Sequence, residues 1–275
     1  TQTAIESVEV FKRNMPRKSR MKVFPGLRYY WIGLNQDHPN LQDLRVRQAV
    51  QWAIDVEAVI EAAWFGLTEP ATGMIAPGLI GHLEKAAIPP RGDRDVARAL
   101  LRDAGVELPL RITLDVAASA LQLTAGHVVQ WSLNKAGFDV ELRSQDNATL
   151  ITLGMESAGE RWRDLQLHLQ SFFMLGDPYY ATEWFVSEQV GVWNWERFRS
   201  EEFDRLHKTA MSSSDSAERD RLYQRMQQLM EASGCYRFIT HGVEPLLYRD
   251  HLEPAFRADG YPLYPRFRLA QSRPG

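Results

Sequence analysis

The chain has 275 residues, which is enough for one large or two ordinary domains. Its 44% hydrophobic and 24% charged residues are typical of a soluble globular protein. The net charge of −3, with lysine and arginine scattered among acidic residues, provides no basic surface, so no nucleic-acid partner is expected. The single cysteine, Cys235, excludes an intramolecular disulfide and a cysteine metal cluster. No apolar run reaches about 18 residues, so no membrane span is predicted.

The first firm prediction is a central strand near the N-terminus. Residues 1–20 contain only a weak helical pattern, interrupted by proline, and predict at most one helix. Residues 29–34 are rich in the aromatic and branched side chains that favour strands. Pro25-Gly26 predicts a turn just before this strand.

Residues 43–66 predict two short buried helices. Apolar side chains recur there at three- and four-residue spacing, which places them on one face of each helix. The two stripes are Val46, Ala49, Val50 and Ala53, then Val59, Ile60 and Ala63. Asp43 and Asp55 each stand where an N-cap is needed, and Gly66 ends the second helix. We therefore expect two helices that meet near Ile54 and form interior scaffold.

The middle of the chain predicts an α/β fold. Residues 67–90 form an irregular, proline-rich connection, and Asp93 caps a helix that ends at Gly105. The predicted elements that follow are a strand at 111–116, a helix at 121–136, a strand at 138–142, a helix at 147–157 and a strand at 165–169. A strand, helix, strand succession places both strands parallel, so a mainly parallel sheet flanked by helices is expected.

The last third predicts two helices and a return to strand. Helices are expected at 202–210 and 217–230, the second with Asp215 and Glu218 as a capping box. Residues 236–248 predict one or two strands, and residues 254–265 form a tail rich in proline and tyrosine.

A ligand site is predicted between residues 177 and 199, which follow the last strand of the α/β succession. Open α/β sheets bind ligands beyond the carboxyl ends of their strands, and aromatic rings offer rigid stacking surface. Packing in the core is the alternative interpretation of each ring. The predicted ligand-binding residues are Trp193, Asn194, Trp195, Asp177, Tyr179, Arg197 and, from the central strand, Tyr30.

The sequence predicts no catalysis, no cofactor and no metal site. It contains no nucleophile elbow, no phosphate loop and no dinucleotide fingerprint. The residues His241, Glu244, His251 and Glu253 lie in an extended segment, without the helical spacing of a zinc site. Asp164 with His168, and Asp204 with His207, could be written as acid-base pairs, but surface positions are expected for both.

Four segments in order resemble the signature of the family 5 solute-binding proteins, the oligopeptide, dipeptide and nickel receptors of ABC importers. The segments are Ile32-Gly33-Leu34-Asn35, Val46-Arg47-Gln48-Ala49, Ala53-Ile54-Asp55, and Gly66 with Pro70. The resemblance implies the C-terminal lobe of a periplasmic-binding-protein-like receptor of type II, cluster C-like, with the first lobe absent. Its partners would be a small-molecule or peptide solute and the ABC permease subunits in the membrane.

The same resemblance implies how the chain is divided and where it works. Residues 1–28 would lead in from the missing lobe, residues 29–240 would form the ligand-binding lobe, and residues 241–275 would return toward the missing lobe. The location would be periplasmic or extracytoplasmic, with secretion directed by a signal outside this sequence.

One departure from the family pattern bears on the ligand. Asp177-Pro178 and the run Asn194-x-x-Arg197-Phe198 are similar to family segments. Peptide receptors of the family carry an aspartate a few residues before that Asp-Pro, where this chain has Met174 and Leu175. A buried α-ammonium without an anion costs several kcal/mol. Anionic or uncharged solutes such as opines, sugars or modified peptides are therefore favoured, unless Asp177 or Glu183 supplies the charge.

Two other classes stay open at this point. The same lobe could serve as the solute-sensing domain of a regulatory protein, in which case a DNA-binding helix-turn-helix would precede it. An enzyme that holds a cofactor at the aromatic segment is the third alternative, and it predicts turnover or a coloured preparation.

Overall fold

The computed structural model describes residues 4–257 and 261–270. The helices are α1 Ser7–Arg13, α2 Leu44–Ala53, α3 Val56–Trp64, α4 Arg94–Ala104, α5 Ala120–Ala136, α6 Asn147–Leu150, α7 Tyr179–Thr182, α8 Glu201–Ser212 and α9 Ser216–Ala232. The strands are β1 Ser19–Leu34, β2 Leu110–Ala117, β3 Phe138–Gln145, β4 Leu167–Phe173, β5 Tyr236–Arg249, β6 Leu252–Glu253 and β7 Arg268–Leu269. Parts of the two predicted terminal segments, residues 1–3, 258–260 and 271–275, lie outside the described residues. None of the described helices combines the length and apolar character needed to cross a membrane.

A five-stranded sheet in the order β3-β2-β4-β1-β5 organises the fold. β2 is parallel to both β3 and β4, whereas β1 is antiparallel to β4 and β5. Four strands therefore run in one direction and β1 runs against them. The predicted α/β fold with a mainly parallel sheet is confirmed, and β1 makes the sheet a mixed one. The predicted strand-helix-strand unit is β2-α5-β3, paired from Leu110↔Phe138 to Ala117↔Gln145.

The sheet separates two hydrophobic cores. Because side chains alternate along a strand, Ile32 and Leu34 of β1 enter the core formed with α2, α3, α4 and α5. Tyr29 and Trp31 enter the opposite core, which α8, α9 and the connection after α3 cover. Both faces of β1 are thus buried, as its run of aromatic and branched residues requires.

The two helices α2 and α3 form the scaffold that the sequence predicts. The Asp43 carboxylate accepts a hydrogen bond from Arg45 N at 2.8 Å, and the Asp55 carboxylate accepts one from Ala58 N at 3.0 Å. Each such cap contributes about 1 kcal/mol. The backbone at Ile54 is extended, which separates the two helices. Their predicted apolar stripes are buried in the first core, so the prediction is confirmed.

Three local predictions are wrong. Pro25-Gly26 is no turn but lies inside β1, where an irregular register between Pro25 and Tyr29 absorbs the proline. The helix predicted at 147–157 stops at Leu150 and continues as turns. His168 and His207 are buried, not on the surface, because neighbouring elements cover both rings.

β1 and β5 continue beyond the sheet as a two-stranded ribbon, the β1-β5 ribbon. In it, residues 19–25 of β1 pair with residues 243–249 of β5, from Ser19↔Arg249 to Pro25↔Val243. Gly26 approaches Gly242 so closely that an added Cβ would lie 2.9 Å from the Gly242 carbonyl oxygen. The ribbon projects from the edge at which β4 ends, because β1 is antiparallel to β4.

Candidate functional site

The carboxyl end of β4 presents a strand edge with which no strand of the described residues pairs. β2 pairs with β4 only at Leu114↔Leu167 and Asp115↔His168, while its pairing with β3 continues to Ala117↔Gln145. On the other side, Met174 N donates to Leu27 O at 2.9 Å. In an antiparallel ladder such bonded pairs recur at every second residue, so Phe172 turns its N–H and C=O toward β1. Ser171 and Phe173 turn theirs toward the side that β2 has left.

A small cavity of about 220 Å³, the Arg28 pocket, adjoins this edge. Arg28 and Tyr30 of β1 lie opposite Phe173 and Ser171 of β4, respectively. The Tyr30 ring packs edge-on against Trp64 at a centroid distance of 4.9 Å, and burial raises the pKa of its hydroxyl. The remaining wall residues are Ile5, Glu6, Leu121, Gly242, Val243, Glu244 and Pro245.

A larger groove of about 560 Å³ lies along the β1-β5 ribbon and shares Gly242 and Val243 with the Arg28 pocket. Its lining is largely apolar, from Val23 to Leu27 and from Leu67 to Thr72. Its buried histidine, His241, lies with Nε2 2.9 Å from the Met74 carbonyl oxygen, and burial lowers the pKa of this ring to about 4. The groove therefore carries a neutral imidazole at pH 7.

Two of the predicted ligand-binding residues are fully engaged inside the protein. Asn194 has no exposed surface, and its amide nitrogen donates to the carbonyl oxygens of Phe185, Val186 and Phe198. Its amide oxygen accepts from Phe198 N at 3.0 Å. Trp195 is 2% exposed, and its Nε1 donates to Val192 O at 3.0 Å. These contacts fit the packing alternative, and contact of either residue with a ligand stays a prediction.

Two predicted charged residues are held in ion pairs. Arg197 is 7% exposed and donates to Asp37 at 2.7 Å and to Glu156 at 2.6 Å. Asp177 receives Arg219 Nη2 at 2.7 Å and 2.8 Å on its two oxygens. Arg219 therefore already compensates the Asp177 charge, so Asp177 is a weaker candidate for pairing with the ammonium group of a ligand.

The remaining predicted residues are partly accessible. The Trp193 ring packs on Phe172 at 6.0 Å, and the Tyr179 ring stacks on His207 at 5.1 Å. Tyr30 lines the Arg28 pocket. The structure thus brings Tyr30 and, through Phe172, Trp193 toward the end of β4, and their ligand contact stays a prediction.

Sequence reasoning missed Arg28, Ser171 and Phe173. Arg28 is a charged residue directly before the aromatic and branched run at residues 29–34, and this is a signal that could have been used. The edge position of Ser171 and Phe173 carries no local signal, because it depends on where β2 leaves β4. The two positions without the family's aspartate differ in exposure: Met174 is fully buried and Leu175 is 41% exposed.

A buried polar cluster lies behind β1 and β4. Glu196 Oε1 accepts from Trp31 Nε1 at 2.6 Å and lies 3.3 Å from His168 Nε2, and all three side chains are buried. A Cβ added at Gly33 would collide with both Glu196 and His168. Through Glu196, the cluster holds the loop that contains Asn194 against the sheet. In the described part of the chain, no group of three or more His, Cys, Asp or Glu side chains is placed to hold a metal ion.

Residues 2–192 match the model of the family described as bacterial extracellular solute-binding proteins, family 5 Middle. The chain belongs to this family. The predicted resemblance is thereby confirmed.

Curated relatives of this family 5 protein include named peptide-binding proteins. It is 25% identical over 229 residues to the "Probable D,D-dipeptide-binding periplasmic protein DdpA" of Escherichia coli K12, which covers 81% of this chain and 42% of that protein. It is 23% identical over 216 residues to the glutathione-binding protein GsiB of the same strain, covering 75% of this chain and 41% of that protein. The chain therefore spans less than half the length of these relatives.

Solved structures share the fold at low identity. The substrate-binding protein CtaP of Listeria monocytogenes superposes with a TM-score of 0.85 at 16% identity, over 98% of this chain and 55% of that one. The oligopeptide-binding protein AppA of Bacillus subtilis, solved with a nonapeptide, gives a TM-score of 0.80 at 20% identity, over 96% and 55%. The fold is that of one half of a type II periplasmic peptide-binding protein.

Proposed function

We propose that this chain is the ligand-binding lobe of an ABC-importer receptor that captures a peptide or peptide-like solute and delivers it to a membrane permease. The observation that carries the proposal is the open edge of β4 at Ser171 and Phe173. Each edge residue offers an N–H and a C=O to an extended ligand, which is the way peptides add as a strand to a sheet. The exposed apolar side chains of Phe173, on the edge itself, and of Leu175, two residues later, lie at this end of β4.

The same proposal includes the division of the chain. The predicted boundaries at residues 28 and 240 fall where β1 and β5 leave the sheet as the β1-β5 ribbon. Residues 1–28 and 241–275 would then lead to and from a second lobe, and closure of two lobes would enclose the solute. This arrangement is supported by the relatives, which are about twice as long and of which one is named a periplasmic protein.

The test is to identify the natural solute and then to remove one edge donor. Mass spectrometry of the intact receptor would identify the solute that co-purifies with it. That solute is then titrated into Ser171→Pro and Ser171→Ala variants of the full-length protein. Proline removes the Ser171 N–H, which now bonds weakly to the neighbouring Gln170 side chain at 3.2 Å, whereas alanine keeps it.

We expect the alanine variant to bind like the wild type and the proline variant to bind at least tenfold more weakly. Equal affinities for both variants, with both folded, would exclude strand addition at this edge. Thermal unfolding of both variants in the absence of solute serves as the folding control.

A further inference from the structure

The structure offers an anion-binding group at the free edge of β4. Arg28 lies directly opposite Phe173, and its guanidinium carbon lies 5.9 Å from the centroid of that ring. Its Nη1 lies 3.4 Å from Ser171 Oγ, at the long limit of a hydrogen bond. Arg28 therefore contacts both residues whose backbone groups face away from β1.

Arg28 differs from the other buried or partly buried arginines of the described part of the chain. Arg47 and Arg237 donate to backbone carbonyl oxygens. The others donate to carboxylates: Arg143 to Asp115, Arg197 to Asp37 and Glu156, and Arg219 to Asp177. Among the described residues, Arg28 has no carboxylate within 4.0 Å, and its one hydrogen bond goes to a neutral hydroxyl. A half-buried guanidinium that makes one long hydrogen bond and no ion pair can still bind an anion in bidentate geometry.

The charges around Arg28 define what can bind there. Glu244 of β5 is partly buried and Glu6 is exposed, and both line the Arg28 pocket. Burial raises the pKa of Glu244, while the Arg28 charge acts in the opposite direction. Neither carboxylate pairs with Arg28, so they leave room for a ligand and disfavour one with several negative charges.

We propose that Arg28 binds a carboxylate of the captured solute, which makes a free carboxylate, and not a free amino terminus, the charged group recognised at the end of β4. This inference rests on the proposed function, because it places the solute along Ser171 and Phe173. It also accounts for Met174 and Leu175: apolar residues directly after β4 replace the aspartate of the family pattern, while β1 carries a cation beside them.

The test compares two probes that differ in one charge, trialanine and trialanine amide. Both are titrated calorimetrically into the full-length receptor, first freed of endogenous solute by mild denaturation and refolding. The variants are Arg28→Ala, Arg28→Lys and, as matched control, Arg20→Ala, which removes an exposed arginine from the same strand. Thermal unfolding of each variant shows that it folds.

The wild type and Arg20→Ala should bind trialanine about 10- to 100-fold more tightly than the amide, as expected for a charge-assisted hydrogen-bonded pair. Arg28→Ala should bind both probes equally, at the affinity that the wild type has for the amide. Arg28→Lys should keep part of the preference, because it retains the charge but loses the fork.

Three outcomes separate the failure of this inference from the failure of the proposed function. A preference for trialanine that survives in Arg28→Ala, or equal binding of both probes by the wild type, would overturn the inference and leave peptide capture standing. Failure of the wild type to bind either probe would overturn peptide capture itself, and the inference with it.

Discussion

Replacing Asn194 by alanine tests whether the loop after α7 is held by its own amide or reserved for a ligand. The side chain is fully buried and makes four hydrogen bonds, all to backbone groups of residues 185, 186 and 198. Alanine would leave the Phe198 N–H and at least one carbonyl oxygen buried without a partner. Each unpaired buried group costs about 1 to 3 kcal/mol, so we expect a loss of about 3 kcal/mol of unfolding free energy.

Urea denaturation followed by far-UV circular dichroism measures this loss. With a denaturant slope of about 3 kcal/mol per molar, which is reasonable for a chain of this size, the midpoint should fall by about 1 M. Trp193→Ala in the same loop is the matched comparison, since the Trp193 ring is only partly buried. A midpoint that stays within about 0.2 M of the wild type, together with a tenfold loss of solute affinity, would refute this reasoning and assign the amide to the ligand.

Three further predictions concern other parts of the molecule. Trp193→Ala should weaken solute binding about 2- to 10-fold in a tryptophan fluorescence titration, because a stacking ring is lost; unchanged affinity removes it from the site. Gly33→Ala should lower the melting temperature by several degrees, because no space exists beside Glu196 and His168, whereas Gly176→Ala, with open space, should not. Glu231→Gln should stabilise the protein at pH 8 and not at pH 4.5, as the melting temperatures at the two pH values will show.

The sign of the Glu231 prediction follows from burial. Desolvation raises the pKa of this carboxyl to about 7 in the folded protein, against 4.5 ordinarily. Between these values the folded state binds more protons than the unfolded state, so stability falls as the pH rises from about 4.5 to about 7. Above pH 7 the ionised Glu231 lowers the free energy of unfolding by its full amount, about 3 kcal/mol. Glutamine stays neutral, and an equal gain at both pH values would show that charge is not the cause.

The helices were predictable because their signals are local. Asp43, Asp55 and Asp93 each cap the helix that the sequence assigns to them, and Gly105 and Gly137 each end one in a left-handed conformation. The prediction of a helix over residues 147–157 is wrong for a reason that lies in the tertiary structure. Gly154 lies against the Trp195 ring, where a Cβ would collide with the indole, so the chain there follows the packing of a distant loop.

The candidate site was only partly predictable, because it depends on which strands are neighbours. Periodicity shows that residues 165–169 and 29–34 are strands but not that β1 inserts beside β4 in the opposite direction. That insertion turns Ser171 and Phe173 outward and brings Arg28 beside them. The aromatic segment 177–199 is predicted as a site from its composition and its position after a strand, whereas the hydrogen bonds of Asn194 and Trp195 hold the loop itself.

The same pairing explains how a receptor of this family could change the charge it recognises without changing its fold. The position of Met174 and that of Arg28 lie on adjacent strands, related by the Leu27 to Met174 hydrogen bond and the Arg28↔Phe173 pair. A carboxylate at position 174, directly after β4, and a cation at position 28 of β1 would therefore lie near the same end of a bound strand, on opposite faces of the β1-β4 pair. Because Met174 is fully buried in the second core, an aspartate there would be desolvated and costly in this chain. Met174→Asp should accordingly destabilise the protein, by about 3 kcal/mol or more, without conferring affinity for a free amino terminus; a stable Met174→Asp variant that prefers trialanine over N-acetyl-trialanine would contradict this account.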